Sequence, residues 1–418
     1  MEKNNKTLKS SIEREQKQLA GSAECEKIKG SQNLNVPHLR FPEFSGDWEI
    51  ARLGDVCKFF SGGTPSSTNK DFYDGDIPFI RSGEIHSNST ELYITEAGLN
   101  SSSAKIVEQG DLLLALYGAT SGDIAISKIK GAINQAVLCI RTNHDNFFLK
   151  SCWEKHCEKL LQTYLQGGQG NLSAEIVKSI KMSFPSYLEQ KKISGLLSLI
   201  EERISTQKKV IEKYESLIKG LITDVNSGRI AQCESIYLRD LLTEQHEKNT
   251  NNYEVFSVSV SQGVINQINY LGRSFAAKEV LHYNVVNWGD IVYTKSPTGE
   301  FPYGIVKRSD ITKPVAVSPL YGVYRPINDC VGRYLHLYFK SPINAKNYLH
   351  KLIQKGAKNT INITNQRFLD NKILIPEKGW LEKIVNFAAA LEMKITAENK
   401  DLETLQQQKD YLLSKMFI

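Results

Sequence analysis

Three clusters in this chain could hold reactive chemistry, and each lacks a partner that its chemistry needs. Asp71, Asp74, Asp76 and Glu84 lie close enough in sequence to gather a divalent cation for phosphodiester cleavage, but no lysine completes a Glu-x-Lys element after them. Cys152 and His156 fall one helical turn apart, on one face of a helix, with Cys157 beside them. No second ligand pair follows, so small thiols packed in a core are the simpler reading. Ser61-Gly62-Gly63-Thr64-Pro65 is glycine-rich but lacks the lysine and the ensuing helix of a phosphate loop. There is no Gly-x4-Gly-Lys-Ser/Thr, no HExxH, no GxSxG and no Asp/Asn-Pro-Pro-Tyr/Phe tetrapeptide. The expectation is a chain with no catalytic residue, no metal site and no cofactor of its own.

What remains are loops of Gly, Ser, Thr, Asn, Gln and isolated cations set between apolar runs. Such loops suit double-stranded DNA: Asn and Gln pair with adenine, Arg and Lys with guanine, while hydroxyls and backbone amides take phosphates. The candidates in the first half are Ser61, Gly62, Thr64, Ser66, Arg81, Tyr117, Thr120, Ser121, Lys128, Gln169 and Asn171. In the second half they are Ser261, Gln262, Arg273, Lys295, Ser296, Thr298, Lys307, Arg308, Lys355 and Lys358.

The elements that must position these loops are written twice. Gly110-Asp111-Leu112-Leu113 and the loop from Tyr117 to Gly122 are matched by Gly289-Asp290-Ile291-Val292 and the loop from Lys295 to Gly299. The run Gln135–Ile140 is matched by Pro319–Tyr324, and Ile180–Pro185 by Ile373–Pro376, all about 180 to 195 residues apart and in the same order. Short apolar runs of this kind read as strands. The paired Gly-Asp steps read as turns opening a strand, since Asp supplies a local acceptor and Gly a free backbone.

After each proline the period changes to that of a long helix. Ile193, Leu197, Ile200, Ile204, Gln207, Ile211, Tyr214, Ile218 and Leu221 alternate spacings of four and three, which is a heptad seam. Ile384, Ala388, Leu391, Ile395, Glu398, Leu402, Leu405, Lys409, Leu412 and Met416 repeat it. Both seams exceed three heptads, as a coiled coil requires. The first helix enters the second globular region and the second helix leaves it, so the helices are expected to run antiparallel with an approximate two-fold relation between halves. The 37 residues from Ser186 to Ile222 would span about 55 Å, or roughly 16 base pairs. Two similar heads on such a ruler suit a bipartite DNA site, and equally a duplicated protein-binding scaffold that never touches DNA.

Composition is consistent with either. The 418 residues are 41% hydrophobic and 23% charged, with a mean hydropathy of -0.33, ordinary values for two or three folded domains. No signal peptide or membrane span is legible and the seven scattered cysteines form no CxxC pair, so reduced thiols and a cytoplasmic location without membrane contact are expected. The net charge of +6 sits in the second half: Lys and Arg outnumber Asp and Glu by 17 to 10 over residues 235–375, against 13 to 15 over residues 48–186.

The chain resembles a known family, the specificity subunit of type I restriction-modification systems. The resemblance is carried by Val36–Phe44 with Trp48–Asp55, by Ser61–Ser66, by Asp76–Ile80, by Gly110–Leu113, and by Phe184-Pro185 leading to Gln190-Lys191-Lys192-Ile193. It covers nearly the whole chain from about Val36 onward. It is looser in the second half, where the Gly-Gly-Thr-Pro-Ser loop has no counterpart and Ile375-Pro376 replaces Phe184-Pro185. The resemblance implies an α+β chain of two tandem α/β target recognition domains, residues 36–185 and 231–376. Two spacer helices, 186–230 and 377–418, would pair as an antiparallel, pseudo-two-fold coiled coil, with residues 1–35 as a tail. It further implies that this chain is catalytically silent, reads double-stranded DNA with one domain per half-site, and docks two modification subunits through its helices. S-adenosylmethionine would sit on those modification subunits, and ATP and Mg on separate restriction subunits.

Overall fold

A computed structural model describes residues 35–164, 171–272, 279–355 and 361–418. Two compact units divide the chain. One comprises the described residues up to Glu201 together with Gln407–Ile418, the other Glu202–Gln406.

In the first unit, strand Glu49–Arg52 pairs antiparallel with Lys181–Phe184, tying the opening of the unit to its close. Between them lies an antiparallel sheet of four strands in the order Cys57–Ser61, Val137–Thr142, Leu112–Ala115, Ile124–Ile126. Leu112, Leu113, Leu114 and Ala115 are all fully buried, as expected of an apolar run covered on both faces. A second sheet orders Tyr93–Ile94, Tyr73–Ile80, Gly131–Ile133 and Lys105–Val107, with one parallel pairing between Phe79-Ile80 and Ala132-Ile133. Helix Asn146–Tyr164 packs Phe148, Leu149, Cys152 and Trp153 into the core. The Trp153 indole donates to the carbonyl of Gly122 at 2.8 Å.

The second unit repeats this plan with different residues. Cys233–Tyr237 pairs antiparallel with Lys372–Pro376. The four-stranded sheet is ordered Leu242–Glu244, Gly322–Pro326, Ile291–Thr294, Ile305–Arg308, the same sequence of first, fourth, second and third strand as in the first unit. The duplication read from the sequence is therefore present in the topology. Helix Asp329–Lys340 follows the fourth strand, as Asn146–Tyr164 does. The strand pair Asn284–Val286 with Val315–Val317 stands where Lys105–Val107 pairs with Gly131–Ile133 in the first unit, and the second unit adds a hairpin, Phe256–Ser259 with Gly263–Asn266.

The two long helices are Tyr187–Asn226 and Lys378–Met416, of 40 and 39 residues. The first runs four residues beyond the Ser186–Ile222 span used for the length estimate and spans about 60 Å at 1.5 Å per residue. Their heptad positions are the buried or half-buried ones. In the first unit Ile193 and Leu197 share a core with Leu413 and Met416, and Lys409 reaches Glu201 at 2.6 Å. In the second unit Gln207 meets Glu398, and Ile218 and Ile222 share a core with Ile384, Ala388 and Leu391. Rising numbers on one helix meet falling numbers on the other in each unit, so the pairing is antiparallel.

Candidate nucleic-acid interface

Leu116 organises the first unit's loops. Its amide donates to the carbonyl of Ala136 at 2.8 Å, and its own carbonyl accepts from the Leu172 amide at 2.9 Å and from the Ser121 hydroxyl at 3.0 Å. Three segments distant in sequence, at 117–121, 134–136 and 171–172, thereby meet. The Ser61–Ser66 loop joins them through Thr64, whose hydroxyl donates to the exposed Gln135 side chain at 2.6 Å. A Cβ on Gly62 would lie 1.7 Å from the carbonyl of Ile133, and one on Gly63 2.8 Å from the side chain of Ser103. Gly62 is thus required by close approach of backbone to backbone, and Gly63 by its contact with Ser103.

On this rim Ser61, Thr64, Ser66, Tyr117 and Asn171 are exposed and Thr120 and Ser121 half-buried. Gly62 lies beneath it. Arg81 and Lys128 are placed beside it but are engaged. The Arg81 guanidinium binds Glu84 at 2.9 Å and Glu91 at 2.6 Å, and the Lys128 ammonium donates to the carbonyl of His86 at 2.7 Å. Burial would push the Glu84 carboxyl up, but Arg81 and the Arg81 and Glu91 amides hold it down at about 2. Gln169 lies outside the described residues.

In the second unit Lys295, Ser296 and Thr298 lie on the hairpin loop between Ile291–Thr294 and Ile305–Arg308, which corresponds to 117–121. Tyr303 of that loop lies against His350, with ring centroids 5.8 Å apart, next to the strand Gln354–Lys355 that carries Lys355. Lys295 is half-buried, and burial pulls its ammonium below the usual lysine value. Ser261 and Gln262 are exposed at the turn of the added hairpin. Arg273 and Lys358 lie outside the described residues.

Lys307 and Arg308 require correction as surface contacts. Both are buried, because helix Asp329–Lys340 covers their strand. Arg308 is clamped by Asp310 and Asp329 and lies 4.6 Å from the Trp288 ring centre. Burial, with Lys340 nearby, pushes the Lys307 ammonium down to about 8.

The sequence reading missed a repeated ion pair at the base of the loops. Arg141 binds Asp111 at 2.6 Å and Arg325 binds Asp290 at 3.1 Å. Each carboxylate also accepts a backbone amide, from Glu108 at 2.8 Å and Asn287 at 2.9 Å. Each preceding glycine is left-handed, Gly110 at φ 97 and Gly289 at φ 88. The signal was available: an arginine follows the fourth strand's apolar run in both halves.

The cysteine and histidine cluster is structural. Cys152 is buried, Cys157 donates to the Gly122 carbonyl at 3.4 Å, and His156 bonds to the main-chain oxygen of Ile418 at 2.9 Å. Among the described residues no group of three or more His, Cys, Asp or Glu could hold a metal ion, and no helix is long and apolar enough to cross a membrane.

Comparison with known proteins adds independent findings. The profile of the type I restriction modification DNA specificity domain matches residues 45–215. The chain is 22% identical over 409 residues to the type I restriction enzyme MjaIX specificity subunit of Methanocaldococcus jannaschii, covering 88% of this chain and 92% of that one. It is 25% identical over 197 residues to the MjaVIII specificity subunit of the same organism, a match that spans 46% of this chain and only 44% of that relative. The solved S subunit of a type I restriction-modification system from M. genitalium superposes with a TM-score of 0.58 at 14% identity, covering 92% of this chain and 99% of that one, so the fold is shared.

Proposed function

We infer, from the match to the type I restriction modification DNA specificity domain and the likeness over most of the chain to a type I specificity subunit, that this chain belongs to that family, selects the DNA sequence on which partner subunits act and does no chemistry itself. Each unit reads one half of a bipartite, asymmetric site, and the paired helices set the gap and dock two modification subunits. S-adenosylmethionine belongs to those subunits, and ATP and Mg to restriction subunits where these join. The complex works in the cytoplasm.

The observation that carries this reading is the repeat of one sheet order in both units, each presenting a polar hairpin loop at the same place in the order. Two copies of one scaffold with unlike loop residues suit two unlike half-sites. Hydroxyls and amides at Thr64, Gln135, Thr120 and Asn171 are of the types that read base edges and phosphates, and the excess of cations in the second unit's sequence favours phosphate contacts there.

Co-expression with the modification subunit in a host lacking adenine methylation, followed by mapping of modified adenines, tests it. A split motif methylated on both strands is expected only when both chains are present. Exchange of residues 36–185 should then change one half of that motif and leave the other. An unchanged motif after the exchange would reject the assignment of one half-site to each unit, and absence of DNA binding by the assembled complex would reject DNA reading altogether.

A further inference from the structure

Both long helices begin just beyond a proline at the end of the closing strand of its unit, Pro185 directly after Lys181–Phe184 and Pro376 as the last residue of Lys372–Pro376. Counted from those prolines the two helices are in register: Ile193 corresponds to Ile384 and Leu197 to Ala388, and all four are buried. Off that seam, the fourth, seventh and eleventh residues are Glu189, Lys192 and Leu196 in the first helix and Trp380, Lys383 and Phe387 in the second.

In the first unit this face is covered by the chain's own opening segment. Arg40 forks onto Glu189 with two bonds of 2.8 Å, and the Trp48 indole donates to the same carboxylate at 3.3 Å. Lys192 lies 4.9 Å from the Phe41 ring centre and pairs with Glu43. Leu196 packs on the core beside them, and Glu189 is only 1% exposed. Among the described residues the second unit has no such cover, because only residues 227–232 join the end of the first helix to strand Cys233–Tyr237. Trp380 is left 44% and Phe387 52% exposed, two helical turns apart. Lys383 stacks on Trp380 at 5.1 Å and meets no carboxylate among the described residues.

We propose that the Trp380, Lys383 and Phe387 face of the second helix docks a segment of another protein carrying an aromatic side chain and, two residues later, a carboxylate. The chemistry is that of Phe41 and Glu43 at the equivalent place. Aromatic residues flanking a cation form a compact anchor for such a segment, and the carboxylate answers the unpaired charge of Lys383. The occupant is not this chain's own segment, which Arg40 and Glu189 already hold in place.

The test uses the full chain and a fluorescent synthetic peptide of residues 36–47 as the probe. Saturable binding is expected, weakened about tenfold or more by Phe387→Glu or Lys383→Glu in the protein and by Phe41→Ala or Glu43→Lys in the peptide. Leu199→Glu, at an exposed position of the first helix, should leave binding unchanged, and thermal unfolding should show all three protein variants folded. No saturable binding, or binding indifferent to Phe387→Glu, would overturn the proposal. Dimers of the chain that form with rising concentration and vanish in Phe387→Glu would overturn it in favour of a second copy as occupant.

Discussion

Gln207 donates its side-chain amide to the carboxylate of Glu398 and, at 3.0 Å, to its main-chain carbonyl. The two residues are counterparts, each the twenty-second beyond the proline that precedes its helix. In an antiparallel pair, a residue that touches its own counterpart marks a local two-fold point. The heptad seams are interrupted by polar groups there, which weakens apolar packing but penalises any slipped register. Gln207→Ala should therefore cost about 0.5–1.5 kcal/mol, and a double-mutant cycle with Glu398→Ala should show coupling. Replacing both by leucine should raise the unfolding midpoint while loosening register, readable by cross-linking of cysteines placed across the seam.

The ion pairs Asp111–Arg141 and Asp290–Arg325 hold the base of the hairpins that carry the polar loops. Asp290→Ala strands the Asn287 amide and the Arg325 guanidinium, and should destabilise the protein by about 1–3 kcal/mol in urea unfolding. A loss no larger than that of an exposed Asp401→Ala control would show the clamp to be dispensable.

Acid should weaken the first unit through two carboxyls. Burial raises the Asp111 carboxyl, but the Arg141 guanidinium and the Glu108 amide outweigh it and leave it below its ordinary value. Burial likewise raises Glu201, and Lys150 and Lys409, at 2.7 and 2.6 Å, outweigh that too. Groups depressed by folding contribute stability that is present above their unfolded values, near pH 4, and lost as pH falls through the lower folded values. Between about pH 5 and pH 2 the wild type should lose more stability than Asp111→Asn or Glu201→Gln, measured by denaturant midpoints.

Gly62→Ala would drive a methyl group into the Ile133 carbonyl. The Ser61–Ser66 loop must then lift from its bed, at a cost of about 1–3 kcal/mol. If that loop reads DNA, affinity for one half-site should fall in an electrophoretic or anisotropy assay while the other half-site is still discriminated.

Lys295 lies on the loop and Lys307 lies beneath helix Asp329–Lys340, and salt should separate them. Lys295→Ala should weaken DNA binding across all sequences and make the slope of log affinity against log salt shallower by about one. Lys307→Met, which removes a buried ammonium, should leave the slope alone. A slope equal to wild type in Lys295→Ala would remove that residue from the phosphate contacts.

Much of the architecture was legible in the order of residues, because periodicity and punctuation act locally. The alternating three and four spacing from Ile193 to Leu221 and from Ile384 to Met416 marks the buried face of each helix wherever it packs. The matched Gly-Asp steps and apolar runs announce one sheet order used twice. What only the tertiary structure decided depends on contacts between residues far apart in the chain. Leu116 binding Ala136 and Leu172 selects which polar loops form one rim. The helix laid over Ile305–Arg308 turns Lys307 and Arg308 from apparent surface cations into interior ones. Six linking residues in place of a covering segment leave Trp380 and Phe387 bare, although the same face is closed over Glu189 and Leu196 in the other unit. Residue type states what a side chain could do, but its neighbours decide whether it is free to do it.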